Sequence, residues 1–335
     1  MEDPVKKYQK KIRKSHWYQV IREKSKKMVL PGFEKVPLFD VIKFFTRGVK
    51  NGGLNTRASA ISFKFFMAIF PSLLFFFTII PYIPVEGIHA SLLELIKDFM
   101  PHNAYQATEE TIKDILNQKR GGLLSLGAFL TLYFATNGIT SIFDAFNKTI
   151  HIDERRSPLK KRITAIWMVF IVSLIIILAV ILLTFGTSLL NFLAKQNIIR
   201  SSSVITVIQI GKYFISIGML FFSISFIYYM APAKKFKFRL ISVGSTIATF
   251  CSLLITLGFK YFVSNFGSYN ALYGSIGTLI VIMLFIYFNS ISLLIGFEIN
   301  ASIRSASLHE NNNSNPLNAN EHTTKRKTAF GERRN

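Results

Sequence analysis

The chain has 335 residues, 50% of them hydrophobic, and a formal net charge of +22 at pH 7. The apolar residues form long blocks without the period of an amphipathic helix or strand, which excludes an ordinary soluble domain. The single cysteine, Cys251, excludes an intramolecular disulfide.

The first 53 residues divide into two predicted elements. Residues 1–35 are a basic arm, which we interpret as a solvated segment that skims anionic lipid, with RNA binding as the alternative. Residues 36–53 carry apolar side chains at helical spacing, which predicts an amphipathic helix in the membrane interface. Its apolar residues are Leu38, Val41, Ile42, Phe45 and Val49.

Residues 54–303 contain the apolar blocks. A hydrocarbon core of roughly 30 Å needs about 20 apolar residues in a helix. The blocks therefore predict an all-α polytopic membrane protein with six transmembrane helices, at about 57–83, 122–146, 163–192, 204–230, 240–264 and 274–300. Residues 85–120 predict two short helices outside the bilayer, and residues 304–335 predict a disordered tail.

Basic and non-basic loops alternate between these spans. The segment through Arg57 has fifteen Lys and Arg against five acids, and residues 231–239 have four against none. By contrast, residues 84–121 have four against six, and 265–273 carry no charge. The positive-inside rule places both termini in the cytoplasm, which predicts a multi-pass protein of the bacterial inner membrane.

Three charged residues are predicted at the cytoplasmic end of the bundle. Glu298 ends the last span, Asp144 ends the second, and Lys64 lies in the first. A carboxylate within a membrane requires a partner, an interface or a function. We expect Lys64 to neutralise one or both acids, and the alternative is that Glu298 is solvated at the headgroup level.

The fifth span carries an aligned polar stripe. At 100° per residue its members stay on one face, which predicts that they face the protein interior: Ser245, Thr249, Ser252, Thr256 and Lys260. Alternatively, each hydroxyl bonds its own backbone. Lys212 in the fourth span lies near the same outer end as Lys260. These lysines either snorkel to the interface or point inward and suit an anion such as phosphate.

Three stretches carry a resemblance to a known family. They are ASAISFKFFMAIFPSLLFFF, DAFNKTIHIDERRSPLKKR and YGSIGTLIVIMLFIYFNSISLLIGFEINA. In this order and spacing they resemble the YihY/BrkB family of bacterial inner-membrane proteins, over roughly residues 40–305. The resemblance implies a six-helix membrane protein. Members have been labelled ribonuclease BN, linked to serum resistance and proposed to act in envelope lipid transport.

The resemblance also singles out individual positions. Those that match the emphasised family pattern are Pro71, Asn147, Glu154, Arg156, Gly274, Gly277, Gly296, Glu298 and Asn300. Lys64 departs from the pattern, since an aromatic or uncharged residue is usual there.

Three functions are compatible with these features. The first is transport of an anionic envelope lipid or another anion, using the polar stripe and the lysines, or a site on the basic loop with Arg155, Arg156, Lys160 and Lys161. The second is a non-catalytic scaffold for envelope proteins. The third is a ribonuclease, which the scattered histidines and the lack of a metal-ligand motif make the least favoured.

We therefore expect no enzyme activity, no cofactor and no metal site. Anionic membrane lipids are the expected partners, without nucleic acid. No ATP-binding GxxxxGK[ST] motif occurs, so that transport would be passive, gradient-driven or powered by a partner.

Overall fold

The computed structural model describes residues 16–34, 36–83, 109–110, 114, 118–150, 153–195, 202–234, 241–265 and 267–314. Within these ranges all regular secondary structure is helical. Six helices are long and apolar enough to cross a membrane. The predicted all-α class with six transmembrane helices is confirmed.

The described helices are α1 His16–Lys27, α2 Leu38–Asn51, α3 Leu54–Ile79, α4 Gly121–Thr149, α5 Pro158–Lys195, α6 Ser202–Met230, α7 Val243–Asn265 and α8 Gly267–Ser314. A short 3₁₀ turn, Ile80–Tyr82, follows α3. Helices α3 to α8 correspond to the six predicted spans. Most of them extend past the predicted ends, because polar residues that flank an apolar block continue the helix.

The six long helices pack as a ring. Each of α3 to α7 contacts the next helix along the chain, and α8 returns to contact α3. Consecutive helices of such a bundle run antiparallel. The starts of α3, α5 and α7 therefore share one end of the ring with the last parts of α4, α6 and α8. We call this the closed end, and the opposite end the open end.

Aromatic and small residues fill the closed end. The rings of Phe146 on α4 and Phe297 on α8 stack with their centroids 3.8 Å apart. Tyr228 on α6 meets both rings edge-on, and its hydroxyl donates to the carbonyl of Leu293 at 2.7 Å. Because Tyr and Phe bury large areas, this cluster holds three helices together across the ring.

Toward the open end, parts of α6 and α7 have no close neighbour among the described residues. A Cβ added at Gly211, Gly218 or Gly258 would meet no described atom within 4 Å. Tyr213 and Phe214, consecutive residues of α6, are both more than half exposed, whereas Lys212 beside them is only 9% exposed. Consecutive helical residues point 100° apart, so that two adjoining sectors of α6 are uncovered there and a third is covered.

Helices α2 and α8 extend the closed end. With 48 residues, α8 is about 72 Å long, which exceeds the thickness of a hydrocarbon core. Its final turns carry Ile303 and Ala306, which pack against Phe33, Val36 and Val41. Residues 304–314 therefore belong to α8, and the predicted start of the tail at residue 304 is wrong because this apolar face is buried.

The predicted apolar face of α2 is only partly the buried one. Val41 is buried, whereas Ile42 is 46% exposed. Phe44, which was not assigned to that face, packs with Val41 against α8. Compared with the prediction, α2 is rotated about its axis, because only one edge of its apolar surface packs against protein. Its place in the interface stays a prediction, and the two helices predicted in 85–120 fall almost wholly outside the described residues.

Candidate functional site

Three helices bring a buried ion pair together at the closed end. Arg57 lies in the first turn of α3, and its Nη2 is 3.5 Å from Oε2 of Glu298 on α8. Their side chains are only 6% and 5% exposed. Thr149, the last residue of α4, donates its hydroxyl to Glu298 Oε2 at 3.0 Å. The pair thus joins α3, α4 and α8.

Arg57 uses only part of its hydrogen-bonding capacity. Its Nη1 donates to the hydroxyl of Thr149 and, at 2.9 Å, to the carbonyl of Ala145. Its buried Nε and Nη2 donate to no acceptor among the described residues. These two nitrogens form the edge of a guanidinium that accommodates two oxygens of a carboxylate or phosphate.

Helix α2 covers the ion pair. A Cβ added at Gly48 would lie 1.8 Å from Glu298 Oε1, and one added at Gly52 would lie 2.6 Å from Arg57 Nη2. Glycine at both positions allows the α2 backbone to reach these charged groups. Gly53, which links α2 to α3, has a φ of +59°, a conformation that favours glycine. The ion pair is therefore enclosed from the side of α2.

The predicted grouping of Lys64, Asp144 and Glu298 is not the arrangement observed. Glu298 pairs with Arg57, and Asp144 pairs with Lys161 at 2.5 Å on a more exposed surface. Lys64 is half-buried on α3 and is absent from the described ion pairs. It lies seven residues beyond Arg57, about 10 Å along the axis. The pairing of Lys64 with Glu298 is wrong because Arg57 occupies the turn closer to the carboxylate.

A second polar cluster joins two loops to the closed end. The Glu154 carboxylate accepts hydrogen bonds from Arg156 Nε at 2.8 Å and Nη2 at 2.7 Å, and from Asn147 Nδ2 at 3.0 Å. Asn147 Oδ1 accepts the amide of Ala233, and Arg156 Nη2 also donates to the carbonyl of Ala231. Three positions singled out by the family resemblance therefore form one network.

This network changes the protonation of Glu154. Hydrogen bonds from the Arg156 side chain lower the pKa of Glu154 below its ordinary value of 4.5, against a smaller opposing effect of burial. The guanidinium of Arg156 also lies 4.5 Å from the ring centre of Phe143, a cation–π contact. Arg156 is thus engaged in holding the loops together.

A third contact joins the start of α7 to α8. Asn300 Oδ1 accepts the amide of Gly244 at 2.8 Å, and Asn300 Nδ2 donates to the hydroxyl of Ser242 at 2.9 Å. A Cβ added at Gly296 would lie 2.4 Å from the carbonyl oxygen of Gly244 and 2.3 Å from the hydroxyl of Tyr228. Small residues allow this close helix packing.

The other family positions lie along the spans. Pro71 is within α3, which continues through it as a helix. Gly274 and Gly277 lie in the first part of α8, and Gly277 is buried.

The polar stripe of α7 changes its surroundings along its length. Ser245 and Thr249 are buried, and Ser252 bonds to Ser292 of α8 at 3.3 Å. Thr256 and Lys260, further toward the open end, are exposed. Both predicted alternatives apply in part, since Ser245, Thr249 and Thr256 bond carbonyls of their own chain segment. The stripe thus runs from the packed closed end toward the open end, and its residues become exposed along the way.

The two outer lysines differ in burial. Lys212 on α6 is only 9% exposed, and its ammonium lies 5.1 Å from the ring centre of Tyr213. Lys260 is exposed.

The four basic residues predicted as a loop site, two of which lie at the start of α5, also differ in their surroundings. Arg156 and Lys161 are engaged with Glu154 and Asp144. Arg155 and Lys160 are exposed.

Arg57 is the site residue that sequence reasoning missed. It was counted only among the basic residues of the N-terminal segment, at the first position of the predicted span 57–83. Its position at the end of an apolar block, at the predicted depth of Glu298, was the available signal. Across the described ranges, no group of three or more His, Cys, Asp and Glu side chains could hold a metal ion.

Comparisons with known proteins place the chain in a family. Residues 45–321 match the family model described as Virulence factor BrkB. A Bacillus subtilis protein with a ribonuclease-like name, YfkH, is 30% identical over 77% of this chain and 93% of its own length. The UPF0761 membrane protein PBPRA3489 of Photobacterium profundum is 24% identical over 78% of this chain and 80% of its own length.

No solved structure matches the chain. The ribonuclease part of the name is a mislabel within this family, and UPF0761 members are named as membrane proteins. Six apolar helices and a family match over most of the chain agree with the resemblance read from its motifs. The chain belongs to the Virulence factor BrkB family of membrane proteins.

Proposed function

We propose that the protein moves an anionic amphipathic molecule, such as an anionic envelope lipid, between the two sides of the bacterial inner membrane. The observation that carries this proposal is the asymmetry of the helix ring. One end is closed over the buried Arg57 and Glu298, whereas Gly211 of α6 and Gly258 of α7, toward the other end, have no described side chain or backbone packed against them. A ring of this shape corresponds to one of the two states that alternating access requires.

The polar stripe supplies the chemistry of a path. Its exposed members, Thr256 and Lys260, lie toward the open end, and its buried members continue toward the closed end. A hydroxyl and ammonium lining can accompany a charged headgroup, while the acyl chains stay in the surrounding bilayer. This division explains why the stripe lies on a helix whose opposite face is apolar.

The predicted orientation places the closed end at the cytoplasmic surface. The exposed Lys43, Arg47 and Lys50 of α2, with Arg155 of the loop and Lys160 of α5, would lie beside anionic headgroups there. Each such basic residue near an anionic surface contributes about 1 kcal/mol of attraction. This arrangement would concentrate anionic lipid at the entrance to the buried pair.

A scaffolding role is the second candidate. Only 6% of the residues in the most apolar stretch of α5 are buried inside the protein, and Trp167 and Phe170 of this helix are exposed. Such a surface suits lipid or the helix of another membrane protein. In either role the protein is proposed to act without catalysing a reaction.

Leaflet exchange in proteoliposomes tests the transport proposal. The purified protein is reconstituted with fluorescent phosphatidylglycerol or, separately, with fluorescent phosphatidylcholine, and a membrane-impermeant quencher reports the outer-leaflet fraction over time. We expect the protein to accelerate exchange of the anionic lipid. Lys260→Ala should slow it several-fold, whereas Lys260→Arg should retain it because the charge is kept.

A flat trace from folded, reconstituted protein would contradict lipid transport. Equal exchange by Lys260→Ala and the unaltered chain would exclude the stripe as the path. The scaffolding role predicts the flat trace together with recovery of other envelope proteins after crosslinking.

A further inference from the structure

We infer that Arg57 and Glu298 form a proton-coupled site for a phosphate-bearing anion, in which the anion replaces Glu298 as the partner of Arg57. The inference rests on the proposed function and deepens it, because it assigns the substrate class and the coupling ion. It begins from the guanidinium, whose Nε and Nη2 are buried without an acceptor among the described residues.

The geometry of this edge selects the ligand. Nε and Nη2 point side by side and match two oxygens of one phosphate group. The opposite nitrogen, Nη1, is held by the carbonyl of Ala145 and the hydroxyl of Thr149, which fixes the orientation of the guanidinium plane. Arg57, only 7% exposed, is thus a preoriented donor with one unused edge.

Glu298 couples this site to protons. Its Oε2 lies 3.5 Å from Arg57 Nη2, so that a phosphate on the same edge would stand against the carboxylate. Two anions that share one edge of a guanidinium repel one another, and the repulsion is relieved when the carboxyl takes up a proton. One proton is therefore expected to enter with each anion and to leave with it.

Each of the four helices that meet at the ion pair carries charged residues near its contact point in the sequence. Within about two turns of the contact points, these are Lys43, Arg47 and Lys50 on α2, Arg57 and Lys64 on α3, Asp144 and Lys148 on α4, and Arg304 on α8. Asp144 is engaged by Lys161, which leaves Glu298 as the carboxylate that faces Arg57.

Helix α2 controls access to the pair. The backbone at Gly48 of α2 and at Gly52, the residue that follows it, already contacts Glu298 and Arg57, so that no phosphate fits until α2 moves. Gly53, at φ +59°, has nothing within 4 Å of its missing Cβ and provides a link about which α2 can pivot. The exposed basic side chains of α2 would then meet the incoming anion first.

Calorimetric titration of the full chain in detergent tests the inference. The probes are inorganic phosphate and dihexanoyl phosphatidylglycerol, each titrated in two buffers of different ionisation enthalpy, so that proton uptake is measured beside affinity. We expect about one proton per anion bound. Binding of both probes would assign a general phosphate site, and binding of the lipid alone would assign a headgroup site.

Variants separate the roles of the two residues. Glu298→Gln should bind the anion with no proton uptake, and Arg57→Lys should lose at least tenfold in affinity because an ammonium lacks the paired edge. Asp144→Asn is the matched control, a carboxylate on the same end whose loss should change neither quantity. Size-exclusion profiles establish that each variant is folded.

A second measurement covers the case in which Glu298→Gln does not fold. For the unaltered chain, the dissociation constant of phosphatidylglycerol should rise about tenfold per pH unit once Glu298 must be protonated on binding. No binding of either probe, binding without proton uptake, or a pH-independent dissociation constant would each overturn the inference. Anion binding without proton uptake would leave the transport proposal intact, whereas a flat leaflet-exchange trace beside coupled binding would remove only transport.

Discussion

Arg57 is a permanently charged side chain in a nearly water-free position. A buried ion pair recovers its desolvation cost only when its geometry is good and the remaining donors are satisfied. Here Nη1 donates hydrogen bonds, whereas Nε and Nη2 have no described acceptor, although Glu298 Oε2 lies 3.5 Å from Nη2. Such incomplete satisfaction is unfavourable for stability alone, and it is what a binding residue requires.

Glu154 and Arg156 show the opposite case. Every oxygen of the Glu154 carboxylate has a donor, and the donors come from its own loop and from Asn147 of α4. This cluster therefore stabilises the fold at the closed end and has no capacity left for a ligand.

The lowered pKa of Glu154 predicts a pH dependence of stability. A carboxyl whose pKa is lower in the folded state stabilises the fold above its unfolded pKa, and this contribution is lost as the pH falls through the folded value. The melting temperature of the unaltered chain should exceed that of Glu154→Gln at pH 7, and the difference should shrink as the pH falls below about 4.5. Thermal unfolding of the two proteins in detergent between pH 7 and pH 3.5 measures the difference in melting temperature and its change with pH. A difference that does not change with pH would contradict the ion-paired state of Glu154.

At the scale of elements, the α7 and α8 contact depends on the absence of side chains. The carbonyl oxygen of Gly244 would be 2.4 Å from a Cβ at Gly296. In a membrane, where apolar burial gives little drive for association, such close packing and the bonds from Asn300 hold the two helices together.

Two glycine substitutions test this contact, one within it and one away from it as a control. Gly296→Ala should lower stability by about 1–3 kcal/mol, since overpacking shifts backbone as well as side chains. Gly218→Ala on α6 meets nothing within 4 Å and should leave the melting temperature unchanged or slightly raised. Thermal unfolding of the two variants in the same detergent compares them. Equal stability of both would contradict the close approach of α7 and α8.

The helices were predictable from the sequence, whereas their rotations were not. Long apolar blocks mark membrane spans whatever their neighbours are, so all six were identified. Which side chain meets Glu298 depends on how α3 is turned and how far it slides along α8. Lys64 and Arg57 lie two turns apart on one helix, and apolar content does not distinguish between them.

The same limit applies to α2 and to the end of α8. Ile42 and Phe44 are both apolar, and only packing against Ile303 and Ala306 decides which edge of α2 is buried. Polar residues after 304 suggested disorder, whereas α8 continues to Ser314, and Ala306 in this part of the helix is buried.

For the whole molecule, we propose a ring that is sealed at the Arg57 and Glu298 end and open at the other. Phe146, Phe297 and Tyr228 pack densely at one end, while glycines of α6 and α7 toward the other have no described atom within 4 Å of an added Cβ. With the predicted orientation, the open end faces the outside of the inner membrane. Water and polar reagents should then enter the ring from that side only.

Cysteine accessibility tests this difference between the two ends. In a Cys251→Ala background, single cysteines replace Ser245 and Thr256, two members of the same α7 stripe, and spheroplasts are treated with a membrane-impermeant maleimide. We expect rapid labelling at position 256, which is exposed, and none at position 245, which is fully buried. Equal labelling at the two positions, or labelling at 245 alone, would contradict a ring closed at one end and open at the other.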